Sequence, residues 1–166
     1  MGLDFENKLT IRRINPAENI PYELLLMADD AVEAIDKYIY HSQIFICEID
    51  NRQIALYVLK INNDQTAEIK NLAVIPEFRG FGIGTFLINH AIENLTSKGI
   101  KTLFVGTGET SEGPLKLYRK LGFTDYTVIK DFFIDNYPRP IYENGILLRD
   151  MIVLKRDLSL KDSTIK

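Results

Sequence analysis

The sequence predicts a mixed α/β fold, a sheet with helices packed on it, in the order β-α-α-β-β-β-α-β-α-β-β. Two observations carry the prediction. Short runs rich in β-branched and aromatic residues alternate with runs whose apolar residues recur at helical spacing. Glycine, proline and polar clusters mark nearly every change between them. A third observation is size: 166 residues with 46% hydrophobic and 26% charged residues suffice for one well-filled core. A single domain over residues 1–166 is expected, with 159–166 as a frayed polar tail.

"KLTIRRI" (8–14) alternates and opens as a strand. In "YELLLMADDAVEAIDKYI" the apolar positions Leu24, Leu25, Ala28, Val32 and Ile35 share a face opposite acids, predicting one or two helices. "IFICEID" and "IALYVLKI" flank a short polar turn and read as a hairpin. After the turn "NNDQ", the strand "TAEIKNLAVI" ends at Pro76. "RGFGIG" (79–84) then leads into a helix with Phe86, Leu87, Ala91 and Leu95 on its apolar face, stopped near Gly99. "KTLFVGTG" is a strand, and "SEGPLKLYRKLGF" a helix with Ser111 at its N-cap, Pro114 in its first turn and Gly122 past its end. "TDYTVIKDFF" and "GILLRDMIVLKRDL" are expected as two long strands joined by an irregular segment.

A net charge of −3 gives no reason to expect nucleic acid as a partner. Cys47 is the only cysteine, so no internal disulfide can form, which fits a reducing compartment. No run approaches the ~18 apolar residues of a membrane span, and Met1–Thr10 lacks a basic-then-apolar signal pattern. A cytoplasmic protein without membrane or metal partners is expected.

The three glycines of "RGFGIG" are the sharpest local signal, because glycine is costly unless bare backbone is needed. No Lys-Ser or Lys-Thr follows them, so a P-loop is excluded. A dinucleotide fingerprint would need glycine at Thr85 or Leu87 and an acid near Ile100; neither condition is met. What fits is a strand ending at Ile75 and a helix starting near Ile83, with the amides of Gly80, Gly82 and Gly84 facing one concavity. Helix N-terminal amides and the helix dipole suit a pyrophosphate there. The alternative is a tight turn with no ligand.

"NLAVIPEFRGFGIGTFLINHAIE" resembles the acyl-coenzyme A segment of the GNAT superfamily of N-acetyltransferases, whose core [RQ]-x-x-G-x-[GA] is met by Arg79, Gly82 and Gly84. "LYRKLGF" (117–123) resembles the same family's later L-Y-x-x-x-G-F segment, in the right order. The resemblance runs from Leu9 to about Leu158. It implies a mixed, mostly antiparallel sheet of about seven strands flanked by about four helices, and acetyl-CoA as co-substrate with no metal. It also implies that Leu72, Ala73 and Val74 bind the pantetheine arm through their backbone, the Val74 amide polarising the thioester carbonyl. Arg79, Gly80, Phe81, Gly82, Ile83, Gly84 and Thr85 would form the pyrophosphate cradle.

By the same resemblance Tyr118 is the general acid for the departing thiolate; its other reading is a core residue beside Leu115 and Leu121. Glu68 matches the base of some relatives, the other reading being a solvated strand carboxylate. His41 and His90 are alternative bases. Many relatives carry asparagine and alanine where Ser111 and Pro114 stand here, and Thr107 or Ser111 would replace the asparagine's contact. The acceptor would lie between the early helices (Asp29, Asp30, Glu33, Asp36) and the late connection (Asp131, Asp135, Tyr137, Tyr142, Glu143). Those acids and aromatics suit a cationic amine, or are simply solvated. The resulting expectation is acetyl transfer to a primary amine of a small molecule, or of a protein. An acyl-CoA sensing module without turnover is the alternative, and a homodimer through the last strands is expected from the family.

Overall fold

The computed structural model describes residues 7–159. Among the described residues nine strands run in the order β1 (Leu9–Arg13), β2 (Gln43–Ile49), β3 (Arg52–Ile61), β4 (Thr66–Val74), β5 (Thr102–Gly108), β6 (Thr124–Ile129), β7 (Tyr142–Glu143), β8 (Ile146–Leu147) and β9 (Met151–Asp157). The helices are α1 (Tyr22–Leu25), α2 (Val32–Ile39), α3 (Ile83–Ser97), α4 (Glu112–Lys120) and α5 (Phe132–Asn136). Seven strands form one sheet ordered β1-β2-β3-β4-β5-β9-β6. The pairs β1/β2, β2/β3, β5/β9 and β6/β9 are antiparallel, and β4/β5 is parallel. The mixed, mostly antiparallel sheet with flanking helices is the fold class expected.

The described residues group into two compact units, 7–60 with 70–89, and 61–69 with 90–159. In the first unit the β2–β3 hairpin turns on Asp50 and Asn51, whose φ angles of 49° and 64° are those of a primed two-residue turn matching strand twist. Ile46, Ile54, Leu56, Tyr57 and Leu59 are fully buried there, and Phe45 stacks on Tyr57 with centroids 4.8 Å apart. Cys47 is in the same core, where burial pushes its thiol up to about 11, so it is not a reactive nucleophile. The single apolar stripe expected over residues 24–35 divides. The chain breaks between Leu25 and Val32, so Leu24, Leu25 and Ile35 are buried while Ala28 and Val32 are exposed.

In the second unit β5 and β9 pair from Thr102↔Asp157 to Gly108↔Met151. The final stretch departs from expectation. Asp131 adopts a left-handed φ of 54°, ending the strand so that Phe132 and Phe133 start α5 rather than extending β6. The long strand expected over 145–158 divides into β8 and β9. The break is at Asp150, whose carboxylate accepts the Asp131 N–H at 2.9 Å and Lys130 at 3.1 Å. β7 and β8 form a small hairpin of their own on Asn144 and Gly145, φ 52° and 76°; the Asn-Gly pair was a readable turn signal. Ser159, expected to fray, donates its N–H and hydroxyl to Asp157 Oδ1 at 2.9 and 2.6 Å; the rest of the expected tail lies outside the described residues.

Two glycines in β5 are set by close approach. A Cβ at Gly106 would come within 2.5 Å of Met151 Sδ, and one at Gly108 within 2.4 Å of Leu148 Cδ1. Met151 has a flexible thioether that can turn aside, whereas Leu148 is itself buried. Gly108→Ala should therefore destabilise by about 1–3 kcal/mol, and Gly106→Ala by less, measured by chemical denaturation. Equal, negligible losses at both positions would contradict this packing.

Candidate active site

β4 leads directly into the glycine loop. Along it Ala67, Ile69, Asn71 and Ala73 are buried while Glu68, Lys70, Leu72 and Val74 are half-buried. The parallel register with β5 runs from Thr66↔Thr102 to Ile69↔Val105, and β4 continues to Val74. After Ile75 the chain makes a 3-10 turn over Pro76–Phe78 and passes through Gly80 and Gly82 at φ 84° and 79°. An L side chain is strained at both angles. No atom lies within 4 Å of where a Cβ would stand at either, so the requirement is conformational and the space above the backbone is open.

Arg79 Nε donates to the Val74 carbonyl at 2.9 Å, tying the loop back onto the strand end. The first helical bond of α3 is Phe86 N–H to Gly82 O at 3.0 Å. Ile83, Gly84 and Thr85 thus form the opening turn, whose amides lie at the positive end of the helix dipole. At the far end Gly99, φ 77°, closes the helix with Ile100 N–H on Leu95 O at 3.1 Å. Of the apolar face expected, Leu87, Ala91 and Leu95 are buried, whereas Phe86 is only half-buried and Ile88 takes its place in the core.

Tyr118 is buried on α4 and meets Phe123 edge-on, centroids 5.7 Å apart. Burial pushes its phenol up to about 12, so it keeps its proton. Ser111 stands at the expected N-cap position, but its side chain makes no capping bond. Its hydroxyl donates instead to Glu143 Oε2 at 2.9 Å, with Thr110 on the same oxygen at 3.3 Å. The tertiary partner wins over the local cap. Thr107 is half-buried opposite Ile152. His41 is exposed after α2, while His90 is half-buried on α3, its pKa lowered by burial.

The acids expected to line an acceptor site are mostly engaged. Asp36 accepts from Tyr22 at 2.6 Å, Asp131 from Arg149 at 2.8 Å, Asp29 from Tyr38 at 3.0 Å, and Glu143 from Ser111. Sequence reasoning missed Asn71. Buried on β4, it donates to Leu25 O at 3.0 Å and to the Tyr38 phenol oxygen at 3.1 Å. The readable signal was an asparagine, a residue depleted in strands, on the apolar side of an alternating run. Among the described residues no group of three or more His, Cys, Asp or Glu could hold a metal ion, and no helix is long and apolar enough to cross a membrane.

A mostly antiparallel mixed sheet with a strand passing through a glycine loop into a helix is an N-acetyltransferase architecture. The family model "Acetyltransferase (GNAT) family" matches residues 12–123, and the chain belongs to that family. It is 37% identical to the uncharacterized N-acetyltransferase YvbK of Bacillus subtilis over 137 residues, 82% of this chain and 88% of that protein. Among solved structures it is similar to a GNAT family acetyltransferase from Elizabethkingia anophelis with acetyl-CoA bound. That match has a TM-score of 0.87 and 42% identity, covering 91% of this chain and 99% of the other. A Bacillus subtilis acetyltransferase in complex with CoA matches with TM-score 0.82 and 35% identity, covering 90% and 99%.

Proposed function

We propose that this protein is one acyltransferase domain that moves the acetyl group of acetyl-CoA to a primary amine of a small molecule. The observation that carries the reading is the glycine loop. Left-handed Gly80 and Gly82, open space above them and the first turn of α3 together suit a pyrophosphate. The similar structure from Elizabethkingia anophelis has acetyl-CoA bound, and the pantetheine arm would extend from that loop along the backbone of Leu72, Ala73 and Val74. Phe81 flanks the cradle and Thr107 would contact the cofactor from β5.

In the reaction the amine lone pair forms the N–C bond, the C–S bond breaks, the amine gives up a proton and the thiolate takes one. The Val74 amide would hold the oxyanion. Tyr118, protonated throughout the working range, would supply the thiol proton. An alkylammonium has a pKa near 10 and must be neutral to attack; Glu68, on the half-buried face of β4, is the proposed base.

Titration calorimetry with acetyl-CoA, free CoA and NADH tests the reading, followed by thiol release with a panel of amines. Micromolar acetyl-CoA affinity, no NADH binding and amine-dependent thiol release are expected. Acetyl-CoA binding without release on any amine would favour a sensing module; no binding by the folded protein would overturn the cofactor assignment.

A further inference from the structure

The first turn of α4 needs little from a capping side chain. Pro114 has no N–H to satisfy, Glu112 N–H reaches Thr110 O at 3.0 Å, and Leu115 N–H reaches Ser111 O at 3.1 Å. The buried Ser111 hydroxyl is thereby released to Glu143. It stands 2.9 Å from one carboxylate oxygen and 3.2 Å from the other, and the Thr110 hydroxyl joins at 3.3 Å. Two hydroxyls at the start of α4 thus converge on one carboxylate from the β7–β8 hairpin.

That hairpin is a two-stranded piece outside the main sheet, and such a piece takes its place from its surroundings. It has anchors besides Glu143. Leu148, just past β8, is buried against Gly108 at the end of β5, and its N–H reaches Ile141 O at 2.8 Å. Asp150 O accepts the Glu109 N–H at 3.1 Å. The Glu143 carboxylate therefore stands on a base fixed to β5, and its bonds hold the start of α4 to that base.

The far end of α4 is held separately, by Arg156 Nη1 donating to Leu121 O at 2.9 Å. Tyr118, between the two ties, has neither. Burial is the sole influence on its phenol, and its ring is placed by packing against Phe123, so the hydroxyl goes where the helix carries it. At about 1.5 Å per residue, Ser111 lies about 15 Å from the Leu121 tie and Tyr118 about 4.5 Å from it. A swing of about 3 Å at the start, pivoting at Leu121, moves Tyr118 by about 1 Å. A misplacement of about 1 Å can cost about 100-fold in rate.

We infer that Glu143 is a positioning residue of the transfer reaction: through Ser111 and Thr110 it sets the start of α4 and, with it, the place of the Tyr118 hydroxyl. The inference rests on the role proposed for Tyr118 above. Glu143, expected from sequence at the acceptor wall, acts instead through the helix of the general acid.

The test reads Tyr118 with and without turnover. With isotope-labelled tyrosine rings, the Tyr118 resonance is the one lost in Tyr118→Phe. Glu143→Ala should shift it, and Glu143→Gln, which keeps an acceptor oxygen for Ser111, should leave it near its original position. In thiol-release assays Glu143→Ala should lower kcat about tenfold, with acetyl-CoA affinity and amine KM changed less than about threefold. Glu143→Gln should recover most of that loss. Combined with Tyr118→Phe, Glu143→Ala should lower kcat no further, because the group it places is gone. Thermal melting confirms folding, and Ser111→Ala, which removes the other partner, repeats both readings if Glu143→Ala is unfolded. An unshifted Tyr118 resonance overturns the inference. So does a kcat loss that persists undiminished in the Tyr118→Phe background, or a loss confined to the amine KM. Absence of thiol release with every amine overturns the proposed function instead, and the resonance, which needs no turnover, still decides whether Glu143 places Tyr118.

Discussion

Replacing Gly82 with aspartate should weaken acetyl-CoA binding about 100-fold or more while leaving the protein folded. Gly82 sits at φ 79° with nothing within 4 Å of a would-be Cβ, so the substitution meets no clash. It meets the backbone penalty, about 1–2 kcal/mol for an L residue in the left-handed region. The exposed free loop relieves that strain by leaving the left-handed conformation, and binding must then restore it. Alanine introduces this term alone and should weaken binding about tenfold, since 1.4 kcal/mol is one decade. Aspartate adds a negative charge beside the proposed pyrophosphate, about 1 kcal/mol even at water's dielectric constant for charges 4 Å apart. Calorimetry should show a loss of about 100-fold or more, with little change in melting temperature. Unchanged affinity in the aspartate variant would mean that the loop is a turn and not a cradle.

Tyr118→Phe is expected to lower kcat about 100-fold while acetyl-CoA affinity changes less than threefold. General acid catalysis contributes about 10²–10⁴, and a thiolate of pKa about 8.5 leaves readily enough to put this case at the low end. The phenol is buried and pushed up to about 12 from 10.0, so no alkaline loss of kcat below about pH 10 should come from it. Activity should instead rise with pH as the acceptor deprotonates. The same shift has a consequence for stability. The folded-state pKa is raised, so its stabilising contribution is complete below pH 10 and disappears as pH rises through about 12. Wild type should lose stability more steeply across that window than Tyr118→Phe, in denaturant titrations at each pH. A variant that keeps full kcat would reduce Tyr118 to its packing role against Phe123.

The parts of this protein that were legible in the sequence are those determined by neighbours along the chain. The β2–β3 hairpin (its turn expected at 51–53 and formed at Asp50-Asn51), the helix stop at Gly99 and the glycine loop before Ile83 each depend on a residue's own φ or on bonds spanning a few positions. Alternation on β4 likewise assigns Glu68, Lys70 and Leu72 to one face, because side-chain direction in a strand has a period of two. Asn144-Gly145 is a signal of the same local kind at the junction of the irregular connection and the expected last strand, and it forms the β7–β8 turn.

Other features depended on partners far away in sequence. Ser111 had the identity of an N-cap, yet its hydroxyl serves Glu143, 32 residues on. "IVLKRDL" and the residues before it looked like one strand until Asp150 was seen accepting the Asp131 amide, 19 residues back. Gly106 and Gly108 read as the end of a strand, whereas Met151 and Leu148 close against them. Asn71 looked like one polar residue in an apolar run, and only folding placed it against Leu25 and Tyr38. Local sequence determines conformations whose energy is paid by one residue or one turn. The choice of partner for a buried polar group is made by whatever tertiary packing puts within about 3 Å of it, and that choice decided the finer structure of the site.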